Sequence, residues 1–257
     1  MKPLAALAAA VLATCSLAAQ AVGHLADVSV LDRSTGRELA VHWHEGRAYV
    51  VGKPGNEYQV LVRNRRGEDL LAVVAVDGVN VLSGQTAGAG QGGYVVSPWE
   101  RLDIKGWRKS LAEIASFYFT SLGDSYAART DRPQNVGVIG VALFRRAARH
   151  DPSPEAAPFE PWGPRSERDE SRERSDAAGA LAKRAAPSSA PLGTGHGRRE
   201  ESQARYTEFE RATREPAETV AIYYDSYRNL VAQGVLRAYA GPRDPQPFPS
   251  GFVPDPR

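Results

Sequence analysis

The sequence predicts a mainly β protein, an antiparallel β-sandwich of the jelly-roll or immunoglobulin-like kind, and three observations carry that expectation. From about Leu25 to Phe144 the chain is a succession of short runs, β-branched or alternating, interrupted by Gly, Pro, Asn and Asp. Few of these runs have helical period, and the turn signals recur at the spacing of a sandwich or barrel. One hairpin can be placed closely: Val74-Ala75-Val76-Asp77-Gly78-Val79-Asn80-Val81 sets Asp-Gly between two apolar runs, and Asp-Gly readily takes the positive φ angles of a type I′ turn. Asp77 is therefore read as a turn residue, not as a catalytic acid.

Taken in order, the expected strands of a core over residues 22–149 are ADVSVLD, ELAVHWH, AYVVG, EYQVLVRN, LLAVVAVD, VNVLS, GYVVS, RLDIKGW, IASFYFTS and VGVIGVALF. Over 150–204 Pro, Ser, Gly, Arg and Glu take over. Such a stretch has little apolar surface to offset its ordering entropy, which predicts a long disordered insertion. Order resumes over 205–240, with ARYTEFERA as an edge strand, ETVAIYY as a strong β run, and Asp225-Ser226 capping a short helix, YRNLVAQ, that Gly234 ends. Two strands and one short helix are not stable alone, so they are expected to pack on the core, which makes 150–204 an insertion within one domain. A long insertion is tolerable because loop closure costs only about 0.6 kcal/mol per doubling of length. The tail, 241–257, is Pro-rich and expected to be extended.

The N-terminus, MKPLAALAAAVLATCSLAAQAVG, has one cation, an uncharged apolar run and Ala19-Gln20-Ala21, which reads as a secretory signal peptide over 1–21 cut after Ala21. No later segment approaches the roughly 20 apolar residues of a transmembrane helix, so the expected location is periplasmic or secreted. The single cysteine, Cys15, would leave with the leader, removing disulfide, thiolate-metal and cysteine-nucleophile chemistry. The rival reading, a lipid anchor at Cys15 from Leu12-Ala13-Thr14-Cys15, fits poorly because Thr14 stands where a lipobox wants Gly, Ala or Ser. Lys and Arg number 32 against 30 Asp and Glu, without the clustered basic face that nucleic acid requires.

The motifs DGVNVLSG, GGYVVSPWERLDIKGWRKS, DSYAART, NVGVIGVALF, GTGHG and IYYDSYRNLVAQGVL together make the chain resemble a group of uncharacterised exported bacterial proteins. The resemblance implies one continuous domain and carries over no catalytic residue.

Several stretches invite a chemical reading. GAGQGG, Gly88–Gly93, has the letters of a dinucleotide fingerprint, but a strand, not a helix, follows it, so it is read as a flexible loop and no cofactor is expected. His42 and His44 lie two apart in a strand pattern and share a face, enough to begin a metal site but fewer than the three or four ligands that complete one; the plain alternative puts Leu39, Val41 and Trp43 in the core and the histidines in solvent. Ser125 and Ser226, each in Asp-Ser-Tyr, read as helix caps. GTGHGRRE, Gly193–Glu200, reads as a hinge where the insertion rejoins the domain, or as an anion cradle. In PWERLDIKGW an extended chain would place Trp99, Arg101, Asp103, Lys105 and Trp107 on one face and Leu102 and Ile104 in the core, a pattern suited to recognition. The leading expectation is an exported non-enzymatic protein that binds a protein or glycan partner through Trp99, Arg101, Lys105 and Trp107. The alternatives are an envelope-directed hydrolase with its site at GTGHG and His196, and a metal or small-ligand carrier using His42 and His44.

Overall fold

In a computed structural model that describes residues 21–148 and 190–238, the chain folds as two β-sheets of seven strands each. In chain order the strands are β1 (Ala26–Asp32), β2 (Arg37–Glu38), β3 (His42–His44), β4 (Arg47–Val51), β5 (Glu57–Asn64), β6 (Leu70–Val76), β7 (Val79–Asn80), β8 (Tyr94–Val96), β9 (Arg101–Ile104), β10 (Gly106–Arg108), β11 (Glu113–Ser121), β12 (Val138–Arg145), β13 (Leu192–Glu201) and β14 (Glu218–Asp225). Two short helices, α1 (Tyr126–Arg129) and α2 (Tyr227–Ala232), follow β11 and β14. Residues 1–20 of the expected leader, with Cys15, residues 150–189 of the expected insertion and the 241–257 tail lie outside the described residues, as do 149 and 239–240. Among the described residues no helix is long and apolar enough to cross a membrane.

The first sheet runs β10-β11-β5-β1-β2, with β13 on β11 and β9 on β5; the second runs β3-β4-β14-β12-β6-β7, with β8 on β6. All pairs are antiparallel except β4 with β14, which are parallel. The chain passes from sheet to sheet repeatedly, so the inward residues of both form one core. Val28, Val30, Tyr58, Val60, Phe117 and Phe119 of the first sheet pack in one cluster with Val50, Val74, Ile139, Val141 and Ile222 of the second. Burial of this apolar area, worth about 25 cal/mol per Å², is what holds the layers together.

The Asp-Gly hairpin forms as read: Val76 pairs with Val79, and Asp77 and Gly78 have φ of 52° and 72°. β6, Leu70–Val76, is apolar at every position because both of its faces are covered. Its outward Leu71 and Val73 join Phe144 in a second cluster, covered by Phe209 and Val95.

ELAVHWH and RLDIKGW are each divided between two strands, β2 and β3 and then β9 and β10, and three further elements depart from the sequence expectation. VNVLS is a strand only at Val79 and Asn80, because the Asn80 side chain accepts from Leu82 and Ser83 N–H and turns the chain. ARYTEFERA is not an edge strand but an irregular strap, anchored by Phe209 under the Arg146 guanidinium, with Tyr206 89% exposed. The expected insertion ends earlier than 204, since residues 192–201 are strand β13, paired along the full length of β11. β14 then lies between β4 and β12 inside the second sheet, so the segments on either side of 149–189 share one core.

Candidate functional site

The most enclosed polar chemistry gathers around Asp77. Its positive φ turns the carboxylate inward, where Oδ1 accepts from Gly137 N–H at 2.9 Å and from the Tyr224 hydroxyl, and Oδ2 accepts from Thr194 N–H at 2.7 Å. The Thr194 hydroxyl lies 2.6 Å from the hydroxyls of both Tyr58 and Tyr224. Burial pushes the Asp77 carboxyl up to about 6, against the hydrogen bonds that pull it down. Burial, and then the charge of Asp77, raise Tyr58 and Tyr224 well above the usual phenol value. Asp77 and Thr194 have no exposed surface and Tyr224 only 2%, so no substrate reaches them. This cluster ties the hairpin turn, the start of β12, β13 and β14 into one node closed to solvent.

GTGHG is neither hinge nor anion cradle; it is the centre of β13. Gly195 stands opposite Tyr118, and a Cβ there would overlap the Tyr118 ring. A Cβ on Gly193 or Gly197 would press on Ser125 or Ser116. The glycines are thus required by neighbours lying flat on the strand. Between them His196 pairs with Phe117 and stacks beside Tyr126, ring centres 5.6 Å apart. Burial first, then the cations Lys109, Arg129 and Arg199, hold its imidazole below the usual value. Among the described residues no serine hydroxyl or carboxylate hydrogen-bonds that ring, so no nucleophile–base pair assembles around it. Ser125 and Ser226 are helix caps, accepting from Ala128 and Asn229 N–H.

His42 and His44 flank Trp43 on β3, half-buried, while Trp43 is 57% exposed and Val41 buried, so Trp43 does not face the core as the plain reading had it. His44 meets Glu45 at 3.9 Å. Among the described residues no group of three His, Cys, Asp or Glu is placed to hold a metal ion.

The expected common face of Trp99, Arg101, Asp103, Lys105 and Trp107 does not form. β9 pairs with β5 and β10 with β11, so the alternation is reset at Lys105-Gly106, where Gly106 seats against the Ala115 backbone. Trp107 turns inward, 3% exposed, edge-on to Phe117 and beside Tyr126. Trp99 stays outside, 65% exposed, at the third position of a turn closed by Glu100 N–H to Ser97 O, with φ of 65°. Pro98 before it completes a type II pattern in which that position ordinarily belongs to glycine. Arg101 is exposed and pairs with Asp103 at 2.9 Å.

Lys105 instead joins residues that the sequence reading did not group. It lines a cleft of about 830 Å³ with Arg108, Lys109 and Arg205, between β8 of the second sheet, β9–β10 of the first and the strap 202–207. Arg108 positions both sides: its Nε donates to the Tyr94 hydroxyl at 3.3 Å, and its Nη atoms donate to the carbonyl and hydroxyl of Ser202. The strap is further held by Ser202 N–H to Ala112 O and Ala204 N–H to Leu111 O. The volume falls within the range that small-ligand clefts span, about 300–1,000 Å³. The loop Gly88–Gly93 beside β8 is tied by side chains: Gln91 accepts from the Asn80 amide and from Gly88 N–H, and Arg211 donates to the carbonyls of Ala89 and Gln91. The only signal for the cleft in the sequence was the basic run Lys105-Gly106-Trp107-Arg108-Lys109, since its other parts come from remote segments.

Comparison of the chain with protein-family models, with curated proteins and with solved structures yields no match in any of the three.

Proposed function

We propose that the protein is exported and acts without catalysis, engaging a partner through the cleft between β8, β9–β10 and the strap 202–207. The observation that carries this reading is the pairing pattern of the charges lining it. Lys105, Lys109 and Arg205 are exposed and have no salt-bridge partner among the described residues, whereas the sealed node around Asp77 has every hydrogen-bonding oxygen occupied. Groups left open toward solvent in a concave site are the ones available to a ligand. Among the described residues no serine hydroxyl or carboxylate is hydrogen-bonded to His196, which favours the binding reading over the hydrolase one.

Export rests on the leader pattern over 1–21, and the way the first strand is secured is compatible with the cut. Val22, the first residue after the expected cut, exchanges hydrogen bonds with Val28, and the Glu218 carboxylate accepts from His24 and Leu25 N–H, both at 2.6 Å. A new amino terminus at Val22 keeps its donor to Val28 O and gains charge, so cleavage there leaves the β1 anchor intact. The test is expression with the native leader in a bacterial host, followed by N-terminal sequencing and recovery of co-purifying material. The proposal expects a periplasmic or secreted chain beginning at Val22 whose co-purifying partner is lost in Lys105→Glu/Lys109→Glu at unchanged stability. A cytoplasmic, uncleaved chain would refute export, and identical co-purification by the variant would refute the cleft.

A further inference from the structure

We propose that the cleft takes an extended acidic segment of a partner protein, laid as an added strand along the free edge of β8. This rests on the binding reading above and names the chemistry of the partner.

Charge comes first. Of the two acids lining the cleft, Asp69 is matched by Arg146 at 3.0 Å and Asp103 by Arg101 at 2.9 Å. The cations Lys105, Lys109 and Arg205 have no such match among the described residues. The uncompensated charge of the cleft is therefore positive, and an anionic occupant meets it without displacing an existing ion pair.

Backbone geometry comes second. β8 pairs with β6 through Tyr94, Val95 and Val96; no described strand pairs with its other side, where the Asn64 amide donates to the carbonyls of Val96 and Ser97 at the far end and no described side chain caps Gly93–Val95. Gly93, Tyr94 and Val95 line the cleft, so that free edge opens into it. An edge left without a partner is ordinarily blunted by charge, proline or cover, because its N–H and C=O groups recruit another strand. Here the strap 202–207 lines the same cleft as that edge.

Side-chain chemistry is consistent with a strand as occupant. Alternate side chains of an extended segment point opposite ways. One set meets the cations; the other meets apolar surface from Leu102 and from Leu111, which is 45% exposed. The expected recognition sequence alternates acidic and apolar residues. Main-chain pairing with β8 gives affinity, and the cations give specificity.

The probe is a fluorescein-labelled hexapeptide of alternating Glu and Val, titrated by fluorescence anisotropy at low salt against the mature chain, with polygalacturonate as a second anionic probe. The expected result is saturable peptide binding that weakens with salt and falls at least about tenfold in Lys105→Glu/Lys109→Glu. Peptides N-methylated at alternate amides, in either register, keep the charge but block strand pairing; one register is expected to lose binding to the same degree. Equal binding by both methylated peptides overturns the added strand. Polygalacturonate binding that is lost in the charge-reversal variant, without peptide binding, overturns the peptide while the cleft stands as the site. Failure of both probes to bind the folded chain overturns the anionic occupant altogether.

Discussion

The node around Asp77 and the cleft around Lys105 are both polar clusters assembled from distant parts of one sandwich, yet they are built on opposite terms. At the node, three donors converge on one carboxylate, two tyrosine hydroxyls share one threonine, and none of it is reachable. At the cleft, one arginine is engaged in holding the walls while the remaining cations face solvent without an ion-pair partner among the described residues. Saturated, desolvated polar groups specify a fold, because any rearrangement strands a buried donor. Unsaturated, solvated ones add little to stability and are free to recognise something else. On the proposed reading, recognition belongs to the cleft and fold maintenance to the node.

Perturbing the node is expected to produce the largest effect. Asp77→Ala leaves the Gly137 and Thr194 N–H groups and the Tyr224 hydroxyl without their acceptor, at a cost of about 3 kcal/mol at pH 7 in a denaturant titration. The same variant carries the pH test. Burial raises the Asp77 carboxyl to about 6 in the folded chain from 3.8, so the folded state binds the proton more tightly than the unfolded one. That contribution is fully present below the unfolded value and is lost as pH rises through the interval from about 4 to 6. The penalty of Asp77→Ala is therefore expected to grow as pH falls from 7 to 4, by at most about 3 kcal/mol. A penalty that shrinks on acidification would mean the carboxylate is stabilised, not strained, by its surroundings.

A smaller effect of opposite sign is expected at Trp99, which holds a left-handed backbone while its ring stands in solvent beside Gly67. Trp99→Gly relieves a conformation that costs an L residue on the order of 1 kcal/mol, so thermal unfolding should shift upward by that equivalent. Destabilisation instead would place Trp99 among the packing residues. The smallest effect belongs to the cleft: Lys105→Glu/Lys109→Glu is expected to move stability by less than about 0.5 kcal/mol. A larger loss would show that these lysines belong to the fold, and the contrast between the two regions would fail.

What was legible in the sequence was local. Asp77-Gly78 specified its own turn, Ser125 and Ser226 announced caps through the backbone donors that follow them, and ETVAIYY and Gly234 marked a strand and a helix end. Asp77 was legible as a turn residue but not as the hub of a network, because Thr194 and Tyr224 lie more than a hundred residues away. GTGHG reads as a hinge because glycine is conformationally permissive; only the Tyr118 ring lying over Gly195 shows why a strand needs it. Strict alternation failed at Trp107 because Lys105-Gly106 hands the chain from one partner strand to another. The cleft was legible only as a basic run, since its apolar surface, its free edge and Arg205 are brought together by the fold.

Amide hydrogen exchange, measured with and without the alternating Glu and Val peptide, tests the division between the regions most directly. The account predicts new protection over 93–97 and 105–109, with none added at the node strands 192–196 and 222–225. Protection that appears around His196 and the node, and leaves β8 unchanged, would contradict it.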